Sequence, residues 1–132
     1  MVRQWSVSSS YGTPQLIKEY NLDFQVEELK LAKNFVYGFG KNGETVQMDI
    51  SAASMLKLNT KSLGSDTYYA FSASPDNTYL YYATERGLKF YNIAKEKLAF
   101  QADNLHDANW LTEALAVSPN GNYCSHLFNS DL

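Results

Sequence analysis

The sequence predicts an all-β chain made of repeated four-stranded antiparallel units. Three observations carry that prediction: a composition suited to strands, a strand-like triplet that returns every 43 residues, and a turn motif that returns with nearly the same period. Hydrophobic residues make up 45% and charged residues 19% of 132 residues, enough apolar surface for one domain with a core and more than a disordered tail carries. Ten Tyr and seven Phe join many Val, Ile and Thr, side chains that suit a pleated, half-buried surface. Runs of Ala, Leu and Glu with helical period are scarce.

The repeat emerges when the segment VRQWSV is laid beside ETVQMDI and GLKFYNI. Trp5, Met48 and Tyr91 then fall in register, 43 residues apart each time. Each is followed by a small polar residue and then a β-branched one: Ser6-Val7, Asp49-Ile50 and Asn92-Ile93. A second series runs at 44 residues, from Ser74-Pro75-Asp76-Asn77 to Ser118-Pro119-Asn120-Gly121 and from Tyr79 to Tyr123. Within the unit the apolar alternation has period two, so each copy reads as four short strands joined by turns. A four-stranded meander every 43 or 44 residues is the size of one β-propeller blade.

Taken in chain order, residues 1–23 read as the third and fourth strands of a blade, 24–65 as a full blade, 66–105 as a second full blade, and 106–132 as first and second strands. Over Val26 to Lys33 the stretch VEELKLAK has helical propensity as an alternative, but repeat register favours a strand. The run Gly38-Phe39-Gly40-Lys41-Asn42-Gly43 resembles a nucleotide loop only in glycine spacing; Asn42-Gly43 between two strands reads as a hairpin. In the second full blade the strands are YYAFSAS, TYLYYAT, LKFYNI and KLAFQA, joined by Pro75-Asp76-Asn77 and Glu85-Arg86-Gly87. Asn120-Gly121 closes the turn of the last half. An immunoglobulin-like sandwich leaves the 43-residue period unexplained.

The stretch from His106-Asp107-Ala108-Asn109-Trp110 through Val117-Ser118-Pro119-Asn120-Gly121-Asn122-Tyr123 resembles the first half of a WD repeat. The Trp-Asp that closes the third strand in that family looks degraded here into Trp5-Ser6, Met48-Asp49 and Tyr91-Asn92. The resemblance implies a buried hydrogen-bonded set that pins the strands of a blade, with His106, Trp5 and Asp131 matching it and Ser125 as a fourth member. Asp49 holds the matching position in the first full blade, while the middle repeats lack the His. The resemblance also implies a rigid platform that docks other proteins or peptides on its top face and edges, without catalysis.

Two full and two half blades amount to an incomplete ring, since propellers close with roughly four to eight. The expectation is therefore a piece of a longer propeller, with the remainder of the propeller or other proteins as partners. The alternative is a domain-swapped homodimer, in which the last half-blade of one copy completes the first half-blade of the other and His106 and Asp131 meet Trp5 across chains in a six-bladed ring.

Charge and chemistry narrow the function. A formal net charge of −3, with 11 basic residues scattered singly, offers no stripe for nucleic acid. No apolar run approaches the roughly 20 residues of a membrane span. A lone Cys124 and no Asn-x-Ser/Thr site fit a reducing, cytoplasmic compartment. Cys124-Ser125-His126 near Asp131 holds the ingredients of a nucleophile and its base, yet neighbours on one strand point to opposite faces. Glu27-Glu28 diverge for the same reason, and two His with one Cys do not reach metal-ligand spacing. The sequence thus predicts no enzyme activity, no metal and no cofactor. The candidate protein-binding residues are Asp66, Tyr68 and Tyr69 before the second full blade, Glu85 and Arg86 in its turn, and Asp107, Asn109 and Trp110 before the last half. The expected function is a protein-interaction scaffold; the alternative is a propeller accessory to an enzyme, such as a hydrolase, whose catalytic residues lie outside this chain.

Overall fold

The computed structural model describes residues 1–7, 12–103 and 110–130; side chains are described for these except 110–114 and 126–130. Twelve strands make up this part, with one 3-10 turn at Lys61–Leu63 and no α-helix among the described residues. No helix there is long and apolar enough to cross a membrane. The chain opens with a two-stranded sheet of β1 (Val2–Ser6) and β2 (Gln15–Tyr20). A four-stranded meander follows, β3 (Glu28–Ala32), β4 (Phe35–Phe39), β5 (Thr45–Asp49) and β6 (Ser54–Lys57). A second meander holds β7 (Tyr68–Ala73), β8 (Tyr79–Thr84), β9 (Gly87–Asn92) and β10 (Lys97–Asp103). The last sheet pairs β11 (Trp110–Val117) with β12 (Cys124–Ser130). All pairing is antiparallel, and the stretch 28–32 is strand, as the repeat register requires.

Trp5, Met48 and Tyr91 each sit one residue before the end of a strand, on β1, β5 and β9. Their cross-strand partners are Leu16, Met55 and Leu98. The polar residue that follows has a definite task. Asp49 Oδ1 accepts from the N–H groups of Ser51 and Ala52 and from Ser51 Oγ, and Asn92 Oδ1 accepts from Lys95 N, so both fasten the turn into the next strand. The β-branched residue after it donates back across the sheet, Ile50 N to Asn34 O and Ile93 N to Thr78 O.

The turn series repeats as closely. Ser74 Oγ donates to Asp76 Oδ1 at 2.7 Å and accepts from Thr78 N and Tyr79 N. Forty-four residues on, Ser118 Oγ donates to Asn120 Oδ1 at 2.6 Å and accepts from Tyr123 N. Asn77 and Gly121 hold the same left-handed position, at φ 64° and 76°. A bulge also recurs: Tyr69 is skipped in the β7–β8 register and Glu113 in the β11–β12 register.

The sheets stack face to face. Tyr20 from β2 packs with Val46 and Met48 between the first and second sheets. Tyr37, Phe39, Leu58, Tyr68, Phe71, Leu80, Tyr82 and Tyr91 fill the space between the second and third. Ala70, Tyr81 and Ala83 meet Leu115 between the third and fourth. The first strands of successive sheets touch, β3 against β7 and β7 against β11.

At the centre of the largest cluster Tyr82 is fully buried and meets Phe39, Tyr68, Phe71 and Tyr91 edge to face, with centroids 5.6 to 6.5 Å apart. Its hydroxyl lies 2.7 Å from Thr45 Oγ1 in the neighbouring sheet. Thr45 Oγ1 donates to Gly43 O at 3.0 Å, so the Tyr82 phenol is the donor of this pair. Two unequal losses follow. Tyr82→Phe removes one bond while Thr45 keeps Gly43 and costs about 1 kcal/mol, whereas Thr45→Val strands a buried phenol O–H and costs about 1–3 kcal/mol. Urea unfolding of the two variants measures the difference; equal losses would remove the donor assignment.

Candidate functional site

One end of the stack gathers three loops: the β4–β5 hairpin, the connection from β6 to β7, and the β8–β9 turn. The hairpin closes through Gly40 N to Glu44 O and Gly43 N to Gly40 O. It is a hairpin as the sequence predicts, and it needs its glycine. Gly43 has φ 87°, and a Cβ there would meet the Tyr68 ring at 2.9 Å. Tyr68 N donates to Lys41 O, and Tyr68 OH donates to Leu63 O at 3.0 Å, so this tyrosine ties the hairpin to the 3-10 turn.

Ion pairs tie the connection to the β8–β9 turn. The Asp66 carboxylate accepts from Arg86 Nη2 at 3.1 Å and from Lys89 Nζ at 3.0 Å. Lys89 is nearly buried, donates also to Leu63 O, and lies 5.6 Å from the Tyr68 ring centroid. Burial alone would raise the Asp66 carboxyl; the hydrogen bond and charge of Lys89, then Arg86, outweigh it and hold the group below the usual carboxylate range. Burial, with the Asp66 charge beside it, pushes Tyr68 up to about 12.

The sequence-predicted residues divide by place. Asp66, Glu85 and Arg86 lie together at this end, Arg86 exposed and Glu85 partly so. Tyr69 is 37% exposed, turned outward by the bulge at the start of β7. Tyr68 departs from the expectation of a free loop residue: at 2% exposure it opens β7 facing inward, its ring and hydroxyl both engaged. Trp110 opens β11 opposite Ser130. Asp107, Asn109, His106 and Asp131 lie outside the described residues.

Trp5 and Ser125 stand on separate two-stranded sheets, both exposed, and are not brought together within the chain. Asp49 caps its turn and is half-buried. Burial pushes the Cys124 thiol up, away from the thiolate a nucleophile needs. No group of three or more His, Cys, Asp or Glu converges as a metal site among the described residues. Lys89 was not singled out by sequence, although a lysine at an inward position of LKFYN was its signal. Compared with known proteins, the chain matches no family model and no curated sequence.

The Asp66 cluster makes stability depend on acid. Its carboxyl titrates lower folded than unfolded, so its contribution is present above the ordinary carboxylate value of about 4 and is lost as pH falls through the depressed folded value. Urea midpoints measured from neutral to acid pH should therefore drop below about pH 4, and Asp66→Asn should lower the neutral midpoint while shrinking that drop. An unchanged acid drop in Asp66→Asn would move the linkage elsewhere.

Proposed function

We propose that these sheets are blades of a β-propeller of the WD-repeat kind and that the chain is a non-catalytic protein-interaction scaffold. The observation that carries the reading is the stacking order. Successive meanders lie face to face with their first strands adjacent, and one cross-strand slot, Met48–Met55 and Tyr91–Leu98, recurs in each complete sheet. A radial array of such sheets places the turns between second and third strands, and the connections between sheets, on one face.

That face is the end built around Asp66. Its backbone is held by buried contacts of Tyr68 and Lys89, while Tyr69, Glu85 and Arg86 present an aromatic ring and both signs of charge to solvent. Rigid loops bearing aromatic and Arg side chains suit recognition of a peptide or a protein loop, because little ordering entropy opposes binding. No strand of this end needs to move.

A peptide library displayed against the chain tests the reading. Selected binders should weaken by roughly tenfold or more with Tyr69→Ala or Glu85→Lys, changes that touch no internal hydrogen bond of the described fold, and should be indifferent to Lys18→Glu on β2. Binders insensitive to both loop variants would place recognition elsewhere on the chain.

A further inference from the structure

Both Asn-Gly pairs of the sequence stand in described turns, Asn42-Gly43 in the β4–β5 hairpin and Asn120-Gly121 between β11 and β12, and the fold treats them differently. The pair carries a chemistry of its own. A glycine nitrogen, with no Cβ beside it to hinder approach, can attack the side-chain amide carbon of the asparagine before it. In both turns that nitrogen is engaged to a similar degree, Gly43 N donating to Gly40 O at 3.1 Å and Gly121 N to Ser118 O at 2.9 Å.

The two amides differ. Asn120 Oδ1 accepts from Ser118 Oγ at 2.6 Å and from Asn122 N at 3.0 Å, and Pro119 stiffens the turn. That amide must lose two hydrogen bonds before it can turn toward the Gly121 nitrogen. Asn42 is exposed beside an open groove that Glu44 and Lys57 also line, and among the described residues no hydrogen bond holds its side chain. Its loop, Lys41-Asn42-Gly43, contains no proline.

We propose that Asn42 is a self-modification site, converting to isoaspartate and aspartate, and that the isoaspartate form releases the hairpin from Tyr68. The Gly43 nitrogen, having given its proton to hydroxide, bonds to Asn42 Cγ; the bond from Cγ to the side-chain nitrogen breaks, and ammonia carries that nitrogen away. Water then opens the five-membered imide at one of its two carbonyls. Opening at Cγ leaves aspartate, and opening at the former main-chain carbonyl leaves isoaspartate, whose chain runs on through Cβ and Cγ and is one methylene longer. That methylene falls between two anchors. Lys41 O accepts from Tyr68 N at 2.9 Å, and Gly43 lies so close to the Tyr68 ring that a Cβ on it would come within 2.9 Å. A longer path from 41 to 43 cannot keep both contacts. Either product also sets a new carboxylate near Glu44, whose Oε1 accepts from Asn42 N at 2.9 Å.

The test holds the 132-residue chain folded at mildly alkaline pH and body temperature and samples it over days. Its mass should rise by the amide-to-acid difference. Peptide maps with isoaspartyl methyltransferase labelling should find conversion at position 42 at least about tenfold faster than at position 120, because Asn120 must break two further hydrogen bonds. In urea the two positions should convert at similar rates, and Ser118→Ala should speed position 120 in the folded chain. Equal folded rates, or the same difference in urea, overturn the site, as does an Asn42 that stays intact. Release of the hairpin is read separately. Amide exchange at Tyr68 should quicken in chains carrying isoaspartate and stay slow in Asn42→Asp, which adds the charge without the methylene. A Tyr68 amide that exchanges as slowly in the isoaspartate form as in fresh chain overturns the release. Neither readout depends on the sheets being propeller blades.

Discussion

The fold depends on a buried phenol that must find an acceptor in another sheet. Tyr82 is surrounded by rings on every side, and an aromatic cluster of that kind tolerates many rotations of one sheet on the next. The Tyr82–Thr45 bond removes that freedom, since a phenol sealed from water costs free energy in any arrangement that leaves it unpaired. Burial then pushes the Tyr82 phenol well above its ordinary range, which keeps it protonated and donating. Apolar area drives the second and third sheets together, and this one directional bond selects how they meet.

Other tyrosines repeat the device. Tyr91 OH donates to Asn59 O, Tyr68 OH to Leu63 O, and Tyr20 OH to Gln4 Oε1, each from a buried apolar cluster to a group in a different strand or connection. Tyr37 OH accepts from Gln47 Nε2 and reaches Asn77 in the next sheet. A chain with ten Tyr and two Trp builds its inter-sheet layers from side chains that are apolar along the ring and polar at the tip. Each tip chooses a register or a neighbour, so the layers carry both stability and specificity.

Much of this architecture was legible because strands and tight turns are local. Alternation with period two placed β7 to β10 within a residue or two, and Ser74-Pro75-Asp76-Asn77 announced a turn whose hydrogen bonds are indeed repeated at Ser118. The repeat offset also overrode helical propensity at 28–32 correctly, since only tertiary register distinguishes the two there. The site was less legible. Tyr68 and Tyr69 are adjacent polar-tipped aromatics with identical local signals, and a bulge that no composition announces decides which one faces solvent. Lys89 lies inside because Asp66, Leu63 O and the Tyr68 ring converge on it from a connection two strands away in sequence, a coincidence that needs the fold.

The same reasoning explains why the two-residue position of Trp5-Ser6, Met48-Asp49 and Tyr91-Asn92 varies so freely along the chain. Its first residue has only to fill a slot against the preceding sheet, and Met48 and Tyr91 fill it with different shapes because the facing layers differ: aliphatic and mixed around Met48, aromatic around Tyr91. Its second residue has only to accept from the turn that follows, which Asp49 and Asn92 do equally through one side-chain oxygen. What the repeat conserves is thus a pair of tasks, packing inward and capping a turn, and several residue types perform each. Sequence identity between the copies erodes while the geometry persists, and a slot so defined keeps its direction even at Trp5, which is exposed.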